Sequence, residues 1–131
     1  MQLDKIDHMT IRCREQDLPA MEHFYGTVLG LKPGRRPDFS FPGIWFYLEG
    51  NPVVHIAARL DALPAEKGAY DHVSFKSRDI EGTREHLRAL GVSFDEAPVP
   101  GFPLHQIFMT DPAGAKVELT FDYPEKAMID G

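Results

Sequence analysis

Two stretches decide how this chain is read: Ile6-Asp7-His8-Met9-Thr10-Ile11-Arg12-Cys13 and Tyr70-Asp71-His72-Val73-Ser74-Phe75-Lys76-Ser77. Both alternate polar and apolar residues, as a half-buried strand does. Both carry Asp-His, a small hydroxyl two places on, and a cation two places after that. They stand 64 residues apart, from His8 to His72, which marks an internal repeat. The segments C-terminal to each stretch repeat as well. Asp17-Leu18-Pro19 offers an N-cap and a proline in the first helical turn. Met21, Phe24, Tyr25, Val28 and Leu29 form an apolar stripe, and Gly30 is a stop. In the second copy Asp79 is the cap, Ile80, Thr83, Leu87 and Leu90 form a weaker stripe, and Gly91 is the stop.

Strands are expected at 31–35, 44–48 and 52–58, then at 93–96, 105–109 and 116–121. Glu49-Gly50-Asn51-Pro52 and Asp111-Pro112-Ala113-Gly114 supply the turns between the last two of each set. The order is β-α-β-β-β, twice. The fold class is α+β: two βαβββ modules in tandem, forming a curved, partly open mixed β-sheet trough with helices outside. The modules span about 4–59 and 69–123, joined by 60–68, within a single domain of 131 residues. Neither half buries enough surface to be comfortable alone.

Composition narrows the function classes. Hydrophobic residues at 43% and charged residues at 26% exclude a disordered chain. Acidic residues outnumber basic ones, 20 to 14, for a net charge of −6. That balance argues against nucleic acid and anionic membranes as partners. The single cysteine, Cys13, cannot form an internal disulfide, which suits a reducing compartment. No apolar run approaches the roughly 20 residues of a membrane helix. Met1-Gln2-Leu3-Asp4-Lys5 mixes charges where a signal peptide needs an apolar core. A soluble cytoplasmic protein is expected.

Strand alternation sorts the faces. Met9, Ile11 and Cys13, like Val73 and Phe75, belong to the core, leaving His8, Thr10 and Arg12 and then His72, Ser74 and Lys76 on the opposite side. In the last strand of each half His55 and Glu118 alternate against apolar neighbours, 63 residues apart. If the strands pair with pseudo-twofold symmetry, His8, His55, His72 and Glu118 point into one cavity. Imidazoles and a carboxylate so gathered describe a site for a divalent transition metal with open coordination positions. His55 among valines equally reads as a satisfied core histidine. Arg12, Gln106 and Phe108 are candidate substrate contacts, with Lys76 sharing the side of Arg12. Nine Phe, four Tyr and one Trp favour an aromatic or hydrophobic ligand.

Four segments resemble the vicinal oxygen chelate superfamily of glyoxalases, fosfomycin and bleomycin resistance proteins and extradiol dioxygenases. They are Ile6-Asp7-His8, Phe24-Tyr25-Gly26-Thr27-Val28-Leu29-Gly30-Leu31, Asp71-His72-Val73-Ser74-Phe75, and the run from Phe108 through Asp111-Pro112-Ala113-Gly114 to Leu119. The resemblance implies His8, His72 and Glu118 as metal ligands, and Glu118 as the catalytic carboxylate that moves a proton. His55 stands where glyoxalase I-like members place a fourth ligand, usually Glu or Gln. It further implies a divalent ion (Fe, Zn, Ni or Mn), a small substrate held through vicinal oxygens, and a homodimer. A glyoxalase-like lyase or isomerase leads. One alternative is an Fe(II) extradiol-dioxygenase-like enzyme acting on an aromatic substrate. In it Phe108 replaces the signature tyrosine, and Val99 lies near where the signature has histidine. The other alternative is a non-catalytic, ligand-sequestering protein like the bleomycin resistance members.

Overall fold

The computed structural model describes residues 1–2, 4–66 and 70–123; Leu3, the end of the expected linker at 67–68, and residue 69 lie outside them. The chain divides into two compact units, Met1–Glu66 and Lys67–Gly131. The first holds β1 (Met9–Arg12), a helical segment, β2 (Lys32–Gly34), β3 (Gly43–Leu48) and β4 (Asn51–Ala57). Its sheet runs β1-β4-β3-β2, with β1 parallel to β4 and the other pairs antiparallel. The second holds β5 (His72–Ser77), a helix, β6 (Asp95–Pro98), β7 (Leu104–Thr110) and β8 (Lys116–Asp122), in the order β5-β8-β7-β6. Register repeats with topology: Thr10 pairs with His55 and His55 with Trp45, as Ser74 pairs with Glu118 and Glu118 with Phe108. The fold is therefore the α+β tandem of βαβββ modules, built on two open, mixed, four-stranded sheets.

The first helical segment begins earlier than the Asp17 cap implied. Asp17 turns its carboxylate back to Arg14, accepting from the backbone N at 3.0 Å and from Nε and Nη2 at 2.9 and 2.7 Å. A 3₁₀ turn over Glu15–Asp17 results, followed by α1 (Leu18–Glu22) and a π-helical stretch over His23–Val28. The wider π turn sets Phe24, Tyr25 and Val28 side by side, all buried. They face Phe46, Val54 and Ile56 of the sheet, with the Tyr25 and Phe46 ring centres 5.8 Å apart. Gly30 and Gly91 close the two helical segments at φ of 79° and 70°, a conformation in which a Cβ would be strained. After Gly91 the chain is still completing the cap, with Val92 N bonded to Leu87 O. Strand β6 accordingly starts at Asp95, two residues later than expected.

Helix α2 (Ile80–Ala89) buries one side chain completely, Leu87, over a sheet face formed by Ile107, Met109, Val117, Leu119 and Phe121. Its apolar stripe is thin because Arg84 occupies the middle of it. The guanidinium bonds Glu96 at 2.6 Å through Nη2, and Glu96 also meets His105 Nε2 at 2.8 Å. This places His105 on the helix side of the sheet. Hydrogen bonds from Arg84, and less strongly from His105, hold the Glu96 carboxyl below the ordinary carboxylate range, against the opposing effect of burial. A carboxyl lowered in the folded state stabilises above its unfolded value of about 4.3 and loses that contribution as pH falls through the folded value. Glu96→Gln is expected to cost about 1–3 kcal/mol at neutral pH and less at about pH 3, below the unfolded value. Urea denaturation at both pH values checks this; an equal cost at each would refute it.

Candidate functional site

In the second unit, His72 opens β5 and Glu118 lies on β8 beside it, their side chains on the face opposite the helix. His72 Nδ1 meets Asp71 Oδ2 at 2.7 Å, and its Nε2 stands 3.3 Å from Glu118 Oε2. Asp71 accepts the hydrogen bond from Nδ1, and in the neutral tautomer so defined an Nε2 lone pair faces a carboxylate oxygen. Two electron-rich atoms hold such a position only with a proton or a cation between them. A carboxylate–histidine pair of this kind is also how metal-ligating imidazoles are oriented, so the donor set fits a divalent ion.

Glu118 is 6% exposed, unusual for a carboxylate with no arginine or lysine on it among the described residues. Gln106 donates from Nε2 to Glu118 Oε2 at 3.3 Å and to Thr120 Oγ1 at 3.4 Å, while Ser74 and Thr120 share a hydroxyl bond of 2.6 Å. Both contacts to the carboxylate fall on Oε2. Among the described residues Oε1 has no hydrogen-bond partner, so it is the oxygen open to a ligand. Phe108 stands in register with Glu118, and Lys116 Nζ lies 5.1 Å from its ring centre. Lys76 is committed to Asp122, at 2.5 Å.

The first unit repeats half of this. His8 immediately precedes β1, and its Nδ1 meets Asp7 Oδ2 at 2.8 Å. That hydrogen bond is the main reason the Asp7 carboxyl is held below its ordinary range. His8 stacks on His55 with ring centres 3.9 Å apart and planes 13° off parallel; His55 in turn stacks on Trp45 at 3.8 Å and 9°. His55 Nε2 donates to Pro52 O at 3.0 Å. Burial first, and then the charge of His8, lowers the His55 imidazole below its ordinary value, favouring the neutral ring. Lone pairs of two parallel rings lie in separate planes and do not converge on one ion. His55 is a stacking partner of His8, and among the described residues His8 Nε2 has no hydrogen-bond partner. Arg12 is exposed, on the face shared by His55 and Ala57. Within neither unit do three His, Cys, Asp or Glu side chains of the described residues gather closely enough to hold a metal by themselves.

Sequence reasoning did not assign the orienting partners Asp7 and Asp71, although the repeated Asp-His dipeptide was their signal. The stacking of Trp45 on His55 had no such signal, because it depends on the cross-strand register.

Tandem βαβββ modules, each opened by an Asp-His pair at the start of its first strand, define a class of paired-module proteins. A sequence model of the Glyoxalase/Bleomycin resistance protein/Dioxygenase superfamily matches residues 5–119, and the chain belongs to that superfamily. Among solved structures it is similar to a Bacillus anthracis protein assigned to the glyoxalase family, with TM-score 0.78, 20% identity, and coverage of 93% of this chain and 98% of that one. It is also similar to lactoylglutathione lyase from Agrobacterium tumefaciens, with TM-score 0.70, 17% identity and coverage of 92% and 96%. A third is a fosfomycin resistance protein from Listeria monocytogenes, complexed with Mn(II) and 1S,2S-dihydroxypropylphosphonic acid, with TM-score 0.73, 17% identity and coverage of 99% and 100%. At these identities the likeness is one of fold. No functionally curated protein matches the chain. No helix of the described residues is long and apolar enough to cross a membrane.

Proposed function

We propose that this protein is a metal-dependent enzyme that binds a small substrate through two adjacent oxygens, with His8, His72 and Glu118 as ligands of a divalent ion. The arrangement of Asp71, His72 and Glu118 carries the reading. A buried carboxylate faces an imidazole whose other nitrogen is already tied to an aspartate, and the Asp7–His8 pair repeats that second contact. Two imidazoles and a carboxylate suit Fe, Zn, Ni or Mn. Bound there, the ion supplies Lewis-acid polarisation of the substrate oxygens. His55 supports His8 by stacking rather than serving as a fourth ligand.

A lyase or isomerase of glyoxalase type is favoured, and Glu118 is its proton-carrying group. With Oε2 held by Gln106, Oε1 is free to take a proton from a carbon next to a substrate carbonyl and return it to the neighbouring carbon. A homodimer in a cytoplasmic setting is part of the same proposal. Protein purified without added metal is expected to carry a stoichiometric divalent ion, and stripping that ion with a chelator is expected to abolish isomerase activity reversibly. Absence of bound metal, with no uptake of zinc, nickel, manganese or iron, refutes the proposal.

A further inference from the structure

The stack on the first unit's sheet does not end at Trp45. Phe39, in the segment between β2 and β3, lies 6.3 Å from the Trp45 ring and stacks on Phe41 at 5.1 Å, with planes 8° apart. A continuous run of rings therefore leads away from His8. Two guanidiniums close its far end. Arg36 stands 5.0 and 5.2 Å from the centres of Phe39 and Phe41, and Arg59 lies 4.6 Å over Phe41.

Strand register shows which face this is. Gly43 pairs with Ala57 and Trp45 with His55, so all four share a side of the sheet. Arg36 lies against Gly43, with Nη2 2.9 Å from where a Cβ would stand. A side chain at 43 would displace the guanidinium and meet the Ile56 carbonyl.

The charges at this end are unbalanced. The chain carries a net −6, yet among the described residues neither Arg36 nor Arg59 has a carboxylate partner. Arg36 donates from Nη2 to Phe41 O at 2.8 Å, and its buried Nε has no hydrogen-bond partner among the described residues. A guanidinium left so is costly unless something completes it. Phe39 is meanwhile 43% exposed, offering a flat ring beside Arg36.

We infer that Arg36, Arg59 and Phe39 form a subsite for an aromatic anion, the ring lying on Phe39 and the anionic group meeting the guanidiniums. Planar contact contributes through stacking and the anion through charge-assisted hydrogen bonds. That this ligand is one end of the substrate, with its chelating oxygens toward His8, rests on the proposed function. The binding itself does not.

Trp45 is the only tryptophan of the chain, so its emission reports on the stack. The test titrates metal-stripped protein with benzoate, alongside benzyl alcohol and cyclohexanecarboxylate. A saturable change with benzoate is expected, weaker with either control. Arg36 also ties its own loop through Phe41 O, so Arg59→Gln, at an exposed position, is the decisive variant. It is expected to weaken benzoate about tenfold, the loss of roughly one charge-assisted hydrogen bond, with an unchanged unfolding midpoint. No saturable response to benzoate, or one unchanged in Arg59→Gln, overturns the inference. Because the protein is metal-free throughout, that failure leaves the metal proposal standing. Conversely, a chain that binds no metal but binds benzoate as described leaves the subsite standing.

Discussion

His72→Ala and Glu118→Gln are each expected to weaken divalent-metal binding by more than about a hundredfold while the chain stays folded. The magnitude follows from a comparison within the same site. Changing a group that only orients a ligand costs about 10–100-fold in metal affinity, and removing the ligand itself costs more. Gln106→Leu and Asp71→Asn supply that comparison. Gln106→Leu removes the contact at Glu118 Oε2 and Asp71→Asn takes the charge from the contact at His72 Nδ1, and each is expected to fall within the smaller range. Stability moves differently. Glu118 is a buried carboxylate without a lysine or arginine partner among the described residues. Neutralising it relieves desolvation, so Glu118→Gln is expected to melt at or above the wild-type temperature in the absence of metal. Competition against a chromogenic chelator measures affinity, and thermal unfolding with and without the ion measures stability. Wild-type affinity in both ligand variants would sink the metal assignment. Equal losses in Gln106→Leu and Glu118→Gln would mean that the amide is itself a ligand.

The module order was legible because its signals are local. Alternation marks β1 and β5, and Gly30 and Gly91 stop the helices at the places where the backbone turns left-handed. The Asp-Pro-Ala-Gly turn is held as its composition suggests, by Asp111 Oδ1 accepting from the amides of Ala113 and Ala115 at 2.9 and 2.8 Å. Faces were legible too: Gln106 and Phe108 share the side of Glu118, and His105 lies on the other. What sequence could not supply depends on partners distant along the chain. Asp17 reads as a helix cap until Arg14 competes for its carboxylate. Arg84 is neutralised under α2 by Glu96, which also holds His105 on the neighbouring strand, and no local pattern on the helix signals that pairing. The stacking of His55 likewise depends on the Trp45 ring that cross-strand register places next to it.

Adjacent residues on β3 give the sharpest test of those faces, and Phe46→Ala is the second large effect expected. Phe46 is fully buried, its ring 5.8 Å from that of Tyr25, and its Cε1 is 3.6 Å from where a Cβ on Gly26 would stand. Truncation leaves a cavity between the sheet and the π-helical stretch, whose widened turn has little freedom to collapse into it. Such a change costs about 3–5 kcal/mol, a large share of the roughly 5–15 kcal/mol that holds a typical domain. Trp45, one residue earlier, points to the opposite face and is only partly buried. Trp45→Ala loses the stack on His55, with ring centres 3.8 Å apart. An aromatic pair is worth about 0.5–1.5 kcal/mol beyond its area, and part of the indole surface already faces water. The larger side chain is therefore expected to be the cheaper one to remove. Urea midpoints of the two variants decide it, since a change in midpoint at constant slope reads stability directly. If Trp45→Ala proves the more destabilising, the side of the sheet carrying His8 and His55 is core rather than site.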